Sequence, residues 1–283
     1  MKKRDIKTEI TTKIIELIDT HGSEWIKPFS SLCGSPVNAN TGRSYRGMNS
    51  LWLGLQGQTY WATYKQWKEL DAQVIKGSKA SGIAVPMPIK DKKTDEVKGL
   101  YFRSASVFSV AQVEGWEAPT VETPDLTEVL ANVDNYVGNI DADIRHNSSG
   151  GAFYNPANDF IQMPEREQFT ATDTSTATEC YYSTLMHENI HRTGHKSRLD
   201  RLELKNKKGY AFEELIAEIG AAILCSTLNI SPEVRADHSQ YIASWLKALT
   251  SEGGSDYIWK AASEAQKAVD YLNELQVAEA VAA

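Results

Sequence analysis

Apolar residues recur at helical spacing from the start of the chain: Ile6, Ile10, Ile14, Leu17 and Ile18. Positions four apart share one helix face, so the pattern predicts an amphipathic opening helix, with Gly22 as its stop. "PVNANTGRSYRGMNSLWL" reads as turns followed by a strand or short helix, and "YWATYKQWKELDAQV" reads as one helix. "SGIAVPMPI" and "YFRSASVFSVAQV" have strand character, with the charged "DKKTDEVKG" as the hairpin loop between them. Two prolines, acids and threonines then gather in "WEAPTVETPDL", the composition of a boundary. The expected division is a first domain over 1–118, a linker over 119–126 and a second domain over 127–283.

Beyond the boundary, "DLTEVLANVDNYVGNI" predicts a helix, and "ADIRHNSSGGAFYNPANDFIQMP" a short antiparallel pair with a Gly-rich turn. Helical patterns follow at 176–194, 209–229, 237–249 and 255–277, and "VAEAVAA" reads as a frayed tail. The predicted class is α+β: a mixed α/β N-terminal domain followed by a mainly helical domain with a small antiparallel sheet.

At 283 residues, 41% hydrophobic and 24% charged, the composition is globular. No apolar run approaches the ~18 residues of a membrane span, so no membrane partner is expected. The N-terminal "MKKRDIKTEITTKIIELID" mixes acids into its apolar pattern, unlike a secretory signal. Cys33, Cys180 and Cys225 are odd in number and widely spaced, which fits neither a disulfide framework nor a thiolate cluster. A reducing, cytoplasmic setting is expected. The net charge of −7 hides an asymmetry: residues 1–119 carry 17 Lys and Arg against 12 Asp and Glu, and residues 120–283 carry 13 against 25. The basic half is the one to test for nucleic acid.

Chemistry concentrates in "LMHENIHRTGH". On a helix His187 and His191 present two imidazoles to one metal with Glu188 beside them, the H-E-x-x-H arrangement of a hydrolytic zinc site. Such a site takes three protein ligands and leaves one position for water. The metzincin pattern would place a third histidine where Ser197 stands, and His195 comes two residues early. The third ligand is therefore sought downstream in "YAFEELIAEIGAAIL", where Glu214 and Glu218 lie one turn apart. Like charges at i, i+4 weaken an isolated helix, and a nearby cation removes that cost. Glu214 is assigned as the third ligand and Glu218 as the carboxylate that orients an imidazole, or as the alternative ligand. Glu188 is the expected general base, and peptide or amide hydrolysis the expected reaction. Zn2+ is the expected ion, with another divalent metal as the alternative. Tyr210 and Tyr154 are oxyanion-donor candidates by residue type alone, each better read as a packing aromatic. His195 is left at the substrate side or at the helix end.

In the basic half, aromatics interleave with cations, the pairing that grips single-stranded nucleic acid through phosphates and stacked bases. Candidate contacts are Arg43, Tyr45, Arg46 and Asn49 on the turn-rich segment, with Lys65, Trp67, Lys76 and Lys79 beyond it. The bland alternative is a solvated turn with Tyr45 packed inward.

Both halves together resemble the ArdC-type antirestriction proteins of conjugative plasmids, related to the N-terminal part of TraC-type primases and to metallopeptidase domains of phage and plasmid polyvalent proteins. The resemblance rests on "PVNANTGRSYRGMNSLWL", "YWATYKQWKELDAQVIKGSKASGIAV" and "YFRSASVFSVAQVEGW", then on "YYSTLMHENIHRTGHKSRLDR", "YAFEELIAEIGAAILCSTLNI" and "HSQYIASWLKALTSEGGSDYIWKAASEAQKAVDYL". It implies a single-stranded-DNA-binding N-terminal domain and a zincin-like metallopeptidase domain, with His187, Glu188 and His191 on the family's H-E-x-x-H and Glu214 or Glu218 on its downstream carboxylate. It implies protection of incoming DNA from host restriction, in the cytoplasm or after delivery into a recipient with the DNA. Double-stranded DNA and a protein or peptide substrate are further expected partners. Two other readings stand beside it: a DNA-coating protein whose zinc is structural, and a peptidase acting on a host protein without DNA.

Overall fold

Helix α1 (Ile6–His21) buries Ile6, Ile10, Ile14 and Ile18 on one face, each such side chain contributing about 1.5–3 kcal/mol. Asp5 accepts from the Thr8 backbone N–H at its start, and Gly22, at φ 57°, ends it. The computed structural model describes residues 5–32, 34–91, 94–119, 126–202, 207–232, 239–251 and 254–280. Residues 120–125, most of the expected linker, and Cys33 lie outside that set.

Where no element was anticipated, a 3-10 stretch (Gly22–Ser31) follows and buries Trp25, Ile26 and Phe29. The turn-rich segment yields β1 (Val37–Asn38) and then the short helix α2 (Met48–Gly54). The single helix expected over 60–74 divides into β2 (Tyr60–Ala62), α3 (Tyr64–Glu69) and β3 (Gln73–Val74). The division has two local causes. Thr63 and Gln66 form a reciprocal capping box that starts a helix only at Tyr64, and Asp71, at φ 58°, turns the chain out of it. Sheet pairing then captures the aromatic-rich start, with Trp61 opposite Ser109 and Ala62 opposite Phe108.

Strands β4 (Ser81–Lys90) and β5 (Val97–Ser109) form the long antiparallel hairpin predicted, in register from Ser81↔Val107 to Ile89↔Gly99 and shifted by a bulge before Lys90↔Val97. The larger sheet has the order β1-β2-β5-β4, and β3 pairs separately with β6 (Val113–Glu114). Helix α4 (Leu126–Ile140) leads to β7 (Asp143–His146), β8 (Phe153–Asn155) and β9 (Phe160–Met163). This sheet corrects the expectation of an antiparallel pair. It has three strands in the order β7-β9-β8, with β7 parallel to β9 and β8 antiparallel to it. Asn155 accepts from the Ala157 and Asn158 N–H groups and Asp159 takes φ 53°. That turn folds β8 back on β9 and leaves β9's other edge to β7.

Four helices complete the chain: α5 (Ala177–Thr193), α6 (Lys207–Thr227), α7 (Ser239–Leu249) and α8 (Gly254–Ala280). Helix α8 thus continues into the segment expected to fray. The result is a mixed α/β fold with several small sheets and a largely helical region. Its main core is shared: α1 and the 3-10 stretch pack with α6, α7 and α8. Trp25 meets Trp245 edge-on at 6.4 Å, and the Trp245 indole N–H donates to Ala211 of α6 at 2.7 Å. A smaller core gathers Ala62, Trp67, Ala72 and Val74 under Trp116. Cys180 and Cys225 are buried. Among the described residues no helix is long and apolar enough to cross a membrane.

Candidate metal centre

Helix α5 starts on a second capping box. Thr176 accepts from the Glu179 N–H, and the Glu179 carboxylate accepts from the Thr176 N–H. The same carboxylate accepts from the Ser231 N–H at 3.1 Å, which ties the start of α5 to the chain beyond α6. The two helices pack closely because Gly220 offers no side chain: a Cβ there would lie 2.8 Å from the Ile190 side chain. Ile190 lies between the two histidines of α5, so this contact sets how near the imidazoles approach the carboxylates of α6.

The ligand-capable atoms converge as follows. His187 Nε2 and His191 Nε2 are 3.1 Å apart. Glu214 reaches both, with Oε2 at 3.4 Å from His187 Nε2 and Oε1 at 3.6 Å from His191 Nε2. Ligands bound at 2.0–2.2 Å around a tetrahedral ion stand about 3.3 Å apart. The three separations bracket that value, so the donor set fits a divalent cation of this size.

Each imidazole has its other nitrogen turned toward a carboxylate. His191 Nδ1 lies 3.2 Å from Glu213 Oε1, and His187 Nδ1 lies 3.9 Å from Glu218 Oε2. The second distance is an ion-pair approach beyond hydrogen-bond reach. A carboxylate behind each imidazole fixes the ring and its tautomer and leaves Nε2 for the metal. Glu213 was not singled out in the sequence, although it is the better placed of the two orienting carboxylates. It is itself gripped by Arg201, whose Nε and Nη2 donate at 3.1 and 2.7 Å. Arg201 also donates to Thr193 Oγ1 at 2.6 Å, joining the end of α5 to α6. The only sequence signal for Glu213 is its place beside Glu214, where a run of acids reads as ordinary helix surface.

Electrostatics supply a second argument. Glu188, Glu213, Glu214 and Glu218 are all buried, between 3% and 7% exposed, and Arg201 answers one of them. Burying carboxylates without counter-charge is costly. In the metal-free chain the imidazoles supply that charge. Burial lowers the His191 pKa, but hydrogen bonds to Glu213 and Glu214 outweigh it and raise the value from 6.5 to about 10. Burial pushes the Glu214 carboxyl up, and the two imidazoles pull it well below the usual carboxylate range. A divalent cation does the same work without those protons.

The other candidates fall elsewhere. His195 lies past the end of α5, where its Nδ1 accepts from the Ser197 N–H at 3.2 Å and pairs with the Ser197 hydroxyl at 2.7 Å. It lines an open groove of about 490 Å3 with Asp159 and Lys196. The Tyr154 hydroxyl donates to Asp159 at 2.8 Å and accepts from Arg198 at 3.2 Å. The Arg198 hydrogen bond holds the Asp159 carboxyl down to about 2 against its partial burial. Tyr210 is 43% exposed.

The eight candidate DNA contacts separate by exposure. Arg43, Lys76 and Lys79 are exposed, and so is Lys65, whose Nζ lies 3.6 Å from Glu69 Oε1. Arg46 is exposed but ion-paired with Asp270 of α8. Three of the eight serve the fold. Trp67 is fully buried, with its indole N–H on the Phe108 carbonyl at 3.0 Å, so its ring offers no face to a base. Asn49 spends its amide on β4, donating to the Ala84 carbonyl at 2.8 Å and accepting from the Ala84 N–H at 3.0 Å. Tyr45 packs against the main core and accepts from the Asn38 amide at 3.2 Å, the inward placement weighed as its alternative. Exposed rings stand instead at Tyr64, Tyr101 and Phe102.

Fold and site together define a two-part α/β protein with a buried His/His/Glu centre able to hold a divalent metal. Comparison with known proteins refines that class. The N-terminal domain of anti-restriction factor ArdC matches residues 4–123, and a zincin-like metallopeptidase family matches residues 131–264. Crystal structures of the antirestriction protein ArdC from plasmid R388 superpose on the chain with 38% identity, covering 96% of this chain and 98% of that one. The TM-score is 0.74 for the metal-free form and 0.76 for the Mn(II)-bound form. Protein y4eC of Sinorhizobium fredii is 35% identical over 96% of this chain and 92% of its own length. The DNA primase TraC of Escherichia coli is 33% identical over 95% of this chain, which spans 27% of that primase. The chain belongs to the ArdC family of antirestriction proteins.

Proposed function

We propose that this protein shields the DNA of a mobile element from restriction by combining two activities: single-stranded-DNA binding in the N-terminal half and metal-dependent peptide or amide hydrolysis in the C-terminal half. His187, His191 and Glu214 are the ligands, and Zn2+ is the expected ion. The Mn(II) carried by the R388 relative argues for a site that also accepts manganese.

The observation that carries the hydrolase reading is the incomplete shell. Three donors gather among the described residues at tetrahedral separations, and the carboxylates of Glu213 and Glu218 stand behind the imidazoles. A structural zinc is normally closed by four protein ligands; three among the described residues support a fourth place taken by solvent or substrate. A divalent ion in this position supplies Lewis acidity and lowers the pKa of water toward 7. Glu188, next to His187 on α5, is the group that takes the proton from attacking water and returns it to the leaving amine. Glu213 and Glu218 hold the imidazoles in place during that transfer. Strand β8 forms one edge of its sheet, and a sheet edge is where an extended peptide can add as a further strand.

Phosphate neutralisation falls to Arg43, Lys65, Lys76 and Lys79, and base stacking to the exposed rings. The protein is expected to act in the cytoplasm of the cell that receives the DNA. The decisive experiment is Glu188→Gln with elemental analysis, a peptide-hydrolysis assay and a restriction-protection assay. The expected result is unchanged metal content with hydrolysis lowered at least a hundredfold. A variant that keeps its metal and still hydrolyses peptide at the original rate sinks the assignment of Glu188.

A further inference from the structure

A cleft of about 390 Å3 opens between the two halves, at the low end of the usual range for small-molecule sites. Ser44, Ser50 and Tyr60 line it from the N-terminal half, and Ile223 of α6 with Asn273 of α8 from the C-terminal half. Its described charged lining residues, Arg46 and Asp270, are ion-paired with each other. The cleft therefore presents neutral donors and acceptors between apolar and aromatic walls.

Two of those groups carry the polar character of the lining. Ser50, 1% exposed, brings a hydroxyl to it. Asn273 accepts from the Tyr136 hydroxyl at 2.9 Å through Oδ1, leaving its amide N–H groups unused among the described residues. A cavity with a few convergent polar groups between apolar and aromatic walls is the usual form of a ligand site. The matching ligand is planar or compact, uncharged, and carries both donors and acceptors. The exposed Arg43 adjoins Ser44 at the rim, where a phosphate attached to such a ligand would sit.

We infer that this cleft takes up one unstacked nucleobase of a bound single strand, reading its edge with Ser50 and Asn273 while Arg43 holds the adjoining phosphate. The inference rests on the single-stranded-DNA reading above. Because α6 and α8 form one wall, a base in the cleft touches the same helix that carries Glu214.

Affinity for an oligothymidylate is to be compared with that for a chain of equal length built from abasic sites, in the wild-type protein and in Ser44→Leu, which fills the cleft without adding a stacking ring. The wild type is expected to prefer the base-bearing chain by about tenfold or more. Ser44→Leu is expected to bind both chains equally, with abasic affinity unchanged. A preference that survives Ser44→Leu, or is missing from the wild type, overturns the inference. Failure of either chain to bind the wild type at low salt overturns the DNA reading itself. Should Ser44→Leu not fold, 2-aminopurine placed in turn along a strand bound to the wild type decides: one brightened position is expected, and uniform quenching overturns the cleft while leaving strand binding intact.

Discussion

Gly220 of α6 stands against Ile190 of α5 so closely that an added methyl would meet the Ile190 Cδ1 at 2.8 Å and its Cγ1 at 2.9 Å. The faces of the two helices that carry the candidate ligands are held at their spacing by a missing side chain. Overpacking at such a contact costs about 1–3 kcal/mol. Gly220→Ala is therefore expected to lower the melting temperature and weaken metal affinity together. Ile190→Val added to it should recover much of both, as coupled neighbours do. Calorimetry of the single and double variants checks this, and strictly additive losses would rule out the contact as the cause.

Glu213 makes a different kind of contribution. Its carboxylate lies 3.2 Å from His191 Nδ1 and accepts from two Arg201 nitrogens. Removing a partner that orients a metal-bound imidazole typically costs 10–100-fold in metal affinity. Glu213→Gln is expected to lose metal affinity in about that range while retaining the fold, and Glu218→Gln to lose less, since Glu218 stands 3.9 Å from its imidazole. Competition against a chromophoric chelator gives the two ratios. Equal losses would remove the distinction.

His187 and His191 follow a short motif, and Glu214 and Glu218 an i, i+4 pair, so a centre of this kind was legible from spacing, which left open which of the two carboxylates meets the imidazoles. Helices with strong apolar periodicity, such as α1 and α6, were legible for the same reason. The orienting role of Glu213 was not, because it depends on Arg201 arriving from the turn after α5, a tertiary fact with no local signature. Trp67 shows the converse failure. An aromatic between two lysines looks like a stacking platform in sequence, and only the fold shows it closing the smaller core beside Trp116. The three-stranded sheet was misread because a parallel neighbour such as β7 leaves no turn signal next to its partner.

Metal binding should expel protons. With its pKa raised from 6.5 to about 10 by Glu213 and Glu214 against burial, His191 is protonated in the metal-free chain at neutral pH, and a ligating imidazole must be neutral. The sign for stability follows from the raised value. The metal-free protein has the full benefit of this imidazolium below pH 6.5 and loses it as pH rises through about 10. Metal affinity moves the opposite way, strengthening with pH. Titration calorimetry at pH 7 in buffers of differing ionisation enthalpy should show net proton release, and a melting temperature that falls between pH 7 and 10 only in the metal-free sample. No buffer dependence would exclude a protonated His191.

For the DNA-facing half, exposure dictates which cations matter. Arg43→Ala is expected to weaken single-strand binding on every sequence and to reduce the salt slope by about 0.7, the share of the single phosphate that Arg43 neutralises. Asn49→Ala is expected to act through stability instead, because its amide is committed to the Ala84 backbone of β4. Filter binding across a salt series, with parallel melting curves, tells the two apart. An unchanged slope in Arg43→Ala would move the phosphate grip to another loop.

The contact of Trp25 with Trp245, and of the Trp245 indole with Ala211, bears on how such chains exchange parts. Ile26, next in sequence to Trp25, lies beside His187 and Glu218 at the back of the centre. Residues that begin the chain thus form part of the floor beneath chemistry carried near its end. A hybrid joining the first half of one relative to the second half of another inherits a working centre only if this tryptophan pair and its isoleucine neighbour travel as a matched set.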